Sequence, residues 1–246
     1  MTRWCCLCAY DGTGFDGWQS QPNQNTIQDS IERRLFDIFK KPVRVFGSGR
    51  TDAGVHANNQ VFHFDADWNH CPKKLLQAMG SGIPRSIQIK SVQETNNDFH
   101  AQFSVTKKRY LYHLREGLAN PFEYKFLWEL KNRKPDIQKM NELGQELIGT
   151  HDFAAFSAKR GDGTAECTVR TIYSLSFRRT DNYLTFFTEA NGYLYKMVRT
   201  LVGTMVEVGT GALAKDYVLE CFRTRRRKEK IVTAPPTGLF LDKVFY

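Results

Sequence analysis

An arginine and an aspartate two residues apart lie inside a glycine-rich stretch, residues 47–57, which reads GSGRTDAGVHA. Arg50, Thr51 and Asp52 are the residues whose types and spacing most directly suggest chemistry. Glycines at 47, 49 and 54 permit positive φ and close backbone approach, so a sharply folded loop can present this trio to a bound molecule. Three common uses of such a loop fail. A dinucleotide fingerprint needs a third glycine where Asp52 stands, and a carboxylate there repels pyrophosphate. A Walker loop needs lysine followed by Ser or Thr, which is absent. An aspartic-protease loop needs a second, similar aspartate to share a proton, and no partner DTG or DSG occurs. Spacing then leaves two readings open. Asp52 is a lone carboxylate able to act as base or nucleophile, or it pairs with Arg50 merely to tie down a glycine turn.

Something must hold that loop. β-Type runs at 43–46 and 60–64 lead into and out of it. Upstream, residues 3–10 read as a buried first strand. Cys5 and Cys8 spell CxxC there, but odd spacing in a strand puts the thiols on opposite faces, which excludes a shared metal or disulfide. A turn, DGTG, and the segment FDGWQ follow; their aromatics and amides suit either RNA contact or a packed loop. Thr26 to Asp29 resembles a capping box with Asp for Glu, opening a helix with Ile27, Ile31, Leu35, Ile38 and Phe39 on one face, ended by Lys40-Lys41-Pro42. A short helix from Pro72 to Met79 and a strand over 86–94 come next.

The second half starts near residue 105. A basic run, Lys107-Lys108-Arg109, precedes an alternating strand in which Tyr110, Tyr112 and Leu114 share one face. Such a face is either core or a nucleobase platform beside lysines. Residues 136–147 read as a helix, and His151-Asp152 before two phenylalanines as an element boundary. Residues 171–178 and 183–190 form a hairpin about Thr180-Asp181-Asn182. An apolar helix opens at about Gly192 and runs through Met205, with Arg199 costly in its buried stripe unless it is paired or snorkels to the surface. Strands, several antiparallel, with amphipathic helices in two halves give an α+β fold.

Composition narrows the partner. The chain has 246 residues and a net charge of +9, which favours a polyanion, nucleic acid ahead of an anionic membrane surface. No apolar run reaches membrane-spanning length and the N-terminus lacks a signal-peptide layout, so a soluble, unsecreted protein is expected. Six scattered histidines, with no HxxxH and no paired carboxylates, weigh against a metal-dependent hydrolase. The arginine- and lysine-rich run 223–230 is either a solvated face or a phosphate-contact surface.

GSGRTDAGVHA closely resembles the signature of the tRNA pseudouridine synthase A family. Further motifs follow in order: YDGTGFDGWQSQPNQNTIQDSI, the KxY of Lys108-Arg109-Tyr110, HDFxAF at 151–156, MVR at 197–199 and the closing APPTGLFL at 234–241. The resemblance implies two similar α/β, ferredoxin-like subdomains, 1–104 carrying the catalytic loop and 105–246 completing a central cleft, their sheets joined in one extended sheet. It implies an isomerase converting uridine to pseudouridine in the tRNA anticodon stem-loop, around positions 38 to 40, without cofactor or metal. It makes Asp52 the catalytic nucleophile, sets Arg199 against it as a long-range partner, packs Tyr110 on the target base and lines the uridine pocket with Leu239. Arg50 shares the catalytic loop or contacts RNA. Lys108, Lys159, Arg160, Arg225 and Arg226 are expected to face RNA. A cytoplasmic homodimer is expected, the dimer on the resemblance alone. A non-catalytic RNA-binding protein fits the charge and aromatics equally, but not the combination of Asp52, Arg50, Tyr110 and Arg199.

Overall fold

The computed structural model describes residues 1–158 and 167–246; Lys159 and Arg160 lie outside the described residues. The described chain is α+β and forms two compact units. One comprises Met1–Thr106 with Phe240–Tyr246, the other Lys107–Leu239.

The first unit opens with β1 (Thr2–Tyr10), whose alternation buries Trp4, Cys6, Cys8 and Tyr10 on one face. Helix α1 (Ile27–Phe39) is capped by Thr26, whose Oγ1 accepts from the Asp29 N–H at 3.1 Å. The Asp29 carboxylate accepts a hydrogen bond from the Thr26 hydroxyl at 2.5 Å, so the shorter acid bonds to the cap side chain rather than to its backbone. Lys40, at φ 54°, ends the helix in a left-handed turn. Val43 and Val45 are buried and Arg44 exposed, yet only Phe46–Gly47 pair as a strand, the two-residue β2. Then come β3 (His56–Ala66), α2 (Pro72–Gly80) and β4 (Ile87–Thr95). Strand β1 lies antiparallel between β3 and β4, and β2 pairs antiparallel with β3. Arg34 donates to the Ala78 carbonyl at 2.9 and 2.7 Å, tying α1 to α2 over the sheet.

The second unit holds β5 (Lys107–Arg115), β6 (Trp128–Glu129), α3 (Ile137–Leu147), β7 (Gly149–Asp152), β8 (Val169–Thr180), β9 (Tyr183–Ala190), α4 (Met197–Gly209) and α5 (Lys215–Thr224). Its main strands run in the order β5-β9-β8-β7, all antiparallel. The β8–β9 connection is the two-residue turn Asp181-Asn182, with Asp181 at φ 52°. Gly144 lets α3 sit on β8 and α4, because a Cβ there would lie 2.6 Å from Leu175 and 3.2 Å from Met205. Helix α4 starts at Met197, five residues later than its apolar pattern suggests, because Lys196 at φ 59° breaks the chain into it. Helix α5, which buries Val218, Leu219 and Cys221, is not among the elements expected from the sequence. Last, β10 (Leu239–Phe245) returns to the first unit and pairs parallel with β3 at His56 and Ala57.

Candidate active site

The Asp52 loop is braced from below by buried polar groups. Ser48 N–H donates to the Val61 carbonyl at 2.7 Å, and Ser48 Oγ donates to Gln60 Oε1 at 2.5 Å. Gln60 Nε2 in turn donates to the Gly49 carbonyl at 2.9 Å. Thr51 Oγ1 and Tyr10 Oη share a hydrogen bond of 2.8 Å. Ser48, Gln60 and Thr51 are all buried, so each bond is made away from water, where an unmade one costs about 1–3 kcal/mol.

A second loop clamps it from the side. Residues 11–19, readable from sequence as an RNA surface or a packed loop, include Gly17 and Trp18 packed against the Asp52 loop. Trp18 is 2% exposed, and its backbone N–H donates to the Thr51 carbonyl at 3.1 Å. Gly47 has no Cβ because one would lie 2.4 Å from the Trp18 ring. Gly17, at φ +92°, brings its backbone so close that a Cβ would sit 2.5 Å from the Thr51 carbonyl oxygen. Among the three loop glycines only Gly54 uses a positive φ, 76°. Gly47 is needed for space, and Gly49 does not use the positive φ that its residue type allows.

The clamp is anchored in α1. The otherwise unpaired N–H groups of Ile27 and Gln28 donate to the carbonyls of Gly17 and Trp18 at 3.1 and 3.0 Å. The Gln28 side chain accepts from Ser20 N–H and from Gln19 Nε2, and Gln19 Oε1 accepts from Arg50 Nε at 3.2 Å. Arg50 is exposed and Asp52 half-exposed. The loop therefore has a fixed backbone and two charged side chains at the solvent edge. Sequence reasoning missed Tyr10, Trp18, Gln19, Gln28 and Gln60. The glycines at 12 and 17 were the available signal, since each marks a close backbone approach.

The remaining candidates belong to the second unit. Tyr110 is buried in β5, with Tyr193 edge-on at 5.1 Å. Its neighbour Tyr112 is fully buried and donates to the Pro235 carbonyl at 2.7 Å. Burial, then Arg170, pushes the Lys108 ammonium down to about 8. Arg199 stands on the first turn of α4, half-buried, and its Nε donates to the Ala234 carbonyl at 2.8 Å. The Ala234 N–H answers with a 3.0 Å bond to the Arg199 carbonyl. Residues 231–234 thus form a strap along α4. Gly203 makes room for it, since a Cβ would lie 2.7 Å from the Val232 oxygen. Leu239 is buried, and its N–H donates to the Pro236 carbonyl at 3.0 Å.

The basic run divides. Arg225 caps α5 at φ 57° and lies 3.5 Å from Asp152, while Arg226 is exposed. Thr168, then Ala154 N–H and Arg225, hold the Asp152 carboxyl below its usual range, so HDFAAF serves as a local anchor for α5. Arg227, though exposed, is engaged by the chain itself, donating to the Ile231 carbonyl and to Thr233 Oγ1 at 3.1 and 2.8 Å. Thr233 Oγ1 is 3.0 Å from Thr200 Oγ1, which completes a link from Arg227 to α4.

No group of three or more His, Cys, Asp or Glu among the described residues is arranged to hold a metal ion. No helix among them is long and apolar enough to cross a membrane. A carboxylate on a fixed, solvent-facing loop can serve as a base or a nucleophile.

Comparison with known proteins gives the family. The sequence model described as tRNA pseudouridine synthase matches residues 7–104 and 143–246. The protein named tRNA pseudouridine synthase A from Lysinibacillus sphaericus is 41% identical over 248 residues, covering 100% of both chains. That of Listeria monocytogenes is 40% identical over 250 residues, again 100% of both, and that of Geobacillus is 40% identical over 98% of this chain and 97% of its own. The chain belongs to the tRNA pseudouridine synthase family, and so to the isomerases.

Proposed function

We propose that the chain converts uridine to pseudouridine in the anticodon stem-loop of tRNA, with Asp52 as nucleophile. The observation that carries this reading is the half-exposed carboxylate on a loop fixed from two sides by buried groups. In this reading Asp52 forms a transient covalent bond to the nucleotide, the N-glycosidic bond breaks and the uracil turns while held. Its carbon 5 bonds to the sugar and the bond to Asp52 is released. Carbon 5 then loses its proton and the freed nitrogen gains one. Atoms balance within the nucleotide, so no cofactor or metal is required. Arg50, held by Gln19, faces the RNA beside Asp52. Arg199 serves the same uridine as Asp52, Tyr110 packs the base, and Leu239 lines the uridine pocket. Lys108, Arg225 and Arg226 meet phosphates, as do Lys159 and Arg160. Extruding the uridine costs a few kcal/mol, which the cationic surface offsets. The enzyme works in the cytoplasm as a homodimer.

The test is Asp52→Asn, which keeps shape and removes the nucleophile. Pseudouridine formation on unmodified tRNA, with EDTA present, is expected to vanish while tRNA affinity stays within a few-fold. Normal turnover by the variant would sink the mechanism, and mapping the modified positions in the wild-type product checks the anticodon assignment.

A further inference from the structure

An aromatic layer stands directly upstream of the Asp52 loop. Phe46, the residue before Gly47, lays its ring on the His63 imidazole with centroids 5.1 Å apart and planes at 19°. Phe103 lies on His100 in the same way, at 4.3 Å and 25°. The two imidazoles meet edge to face at 4.6 Å, and Phe46 is 5.8 Å from His100. Four rings therefore make one continuous layer. Its inner member His63 is 2% exposed, whereas Phe46 and Phe103 are 46% and 78% exposed.

The layer is rigid for identifiable reasons. His63 Nδ1 accepts the Ala101 N–H at 3.1 Å, and His100 Nδ1 accepts those of Gln102 and Phe103 at 3.2 and 3.3 Å. The segment carrying them is pinned by Arg3, which donates to the carbonyls of Asn97 and Phe99 while its fork grips Asp65 at 2.8 and 2.8 Å. A ring nitrogen that accepts a hydrogen bond carries no proton. Burial lowers His63 to about 4 and His100 in the same direction, so the layer is uncharged at neutral pH. Scattered exposed apolar residues are ordinary, but two phenylalanines mounted on immobilised rings are not scattered.

We propose that Phe46 and Phe103 are a stacking platform for an unpaired nucleobase of the RNA, next to the uridine presented to Asp52. Flat aromatic rings recognise any base by its π face, and rigid ones lose little entropy on doing so. The net charge of +9 attracts the polyanion that carries the base, and one peptide bond joins Phe46 to the catalytic loop. The inference rests on the tRNA reading above.

Phe46→Ala, Phe103→Ala, the double variant and Phe103→Trp test it, with tRNA affinity measured by fluorescence anisotropy across a salt series. Both side chains are exposed, so thermal melts should stay close to wild type. Each alanine is expected to weaken binding about ten-fold, the double variant more, with Phe103→Trp near wild type. The slope of log affinity against log salt should not change, because no phosphate contact is lost. Equal affinity of wild type and double variant overturns the platform and leaves the tRNA reading standing. Failure of the wild type itself to bind tRNA removes that reading and the platform with it. A reduced slope makes the patch a phosphate surface, and a sedimentation shift to monomer with unchanged RNA affinity makes it an interface between copies; either overturns the proposal.

Discussion

Replacing Gly17 by alanine probes the bracing of Asp52 without touching a charged group. Gly17 sits at φ +92°, and its new Cβ would lie 2.5 Å from the Thr51 carbonyl oxygen and 3.1 Å from the Asp52 carbonyl carbon. Both obstacles are backbone, so neither can swing aside like a flexible side chain. The left-handed conformation costs an alanine about 1–2 kcal/mol. Overpacking adds about 1–3 kcal/mol, which puts the loss of stability at roughly 2–5 kcal/mol by these two estimates together. Relieving the clash moves the Thr51–Asp52 backbone by about half an ångström or more, and misplacement of about 1 Å can cost 100-fold in rate. Turnover, read as tritium released from carbon 5 of uridine in tRNA, is expected to fall about ten-fold or further while tRNA affinity holds. Gly14→Ala is the control. It has nothing within 4 Å and no positive φ, so both stability and rate should match wild type. Wild-type turnover in a fully stable Gly17→Ala protein, or equal damage from the Gly14 control, would refute the bracing argument.

Two further outcomes follow from the same geometry. His63 is lowered from 6.5 to about 4 by burial, then by His100 and Arg3. Between those values the unfolded chain binds the proton that the folded one refuses, so stability is full above about 6.5 and falls on acidification toward 4, by up to about 3 kcal/mol; denaturant titrations at pH 7 and 4.5 measure it, and His63→Gln should flatten the slope. In the basic run, Arg226→Ala should weaken tRNA binding and reduce the salt slope by about one, whereas Arg227→Ala, whose guanidinium is engaged with Ile231 and Thr233, should leave the slope alone and lower both stability and turnover through the strap on Arg199.

Patterns that are local in sequence were legible. The alternation of Trp4, Cys6, Cys8 and Tyr10, the Thr26 cap and the β8–β9 turn each depend on residues within a few positions of one another, and the structure has each of them. The α+β class followed from the same periodicities. What escaped was set by distant neighbours. Strand β10 is a strand because β3 offers it a parallel edge at His56 and Ala57, and nothing within 239–245 announces that partner. The 43–46 run has a strand's alternation, but only its last residue finds an edge to pair with. Residues 11–19 resemble a ligand surface in composition, and they are a clamp because Trp18 faces Gly47. Arg227 lies in a run of cations that reads as a solvated face or a phosphate-contact surface, and it is instead bonded to the strap 231–234.

The same division explains how the Asp52 carboxylate can sit at the solvent edge and still be held in place. Asp52 and Arg50 contribute little to packing, since one is half-exposed and the other exposed. Their positions are set by groups that never reach solvent: Tyr10 on Thr51, Gln60 on Gly49, Trp18 on Gly47 and on the Thr51 carbonyl. A loop held only by its own charged pair would loosen with salt, because exposed ion pairs are screened. A loop held by buried hydrogen bonds and by backbone contacts too close for a Cβ does not. The positions of Asp52 and Arg50 are therefore less sensitive to salt than a surface ion pair alone would make them.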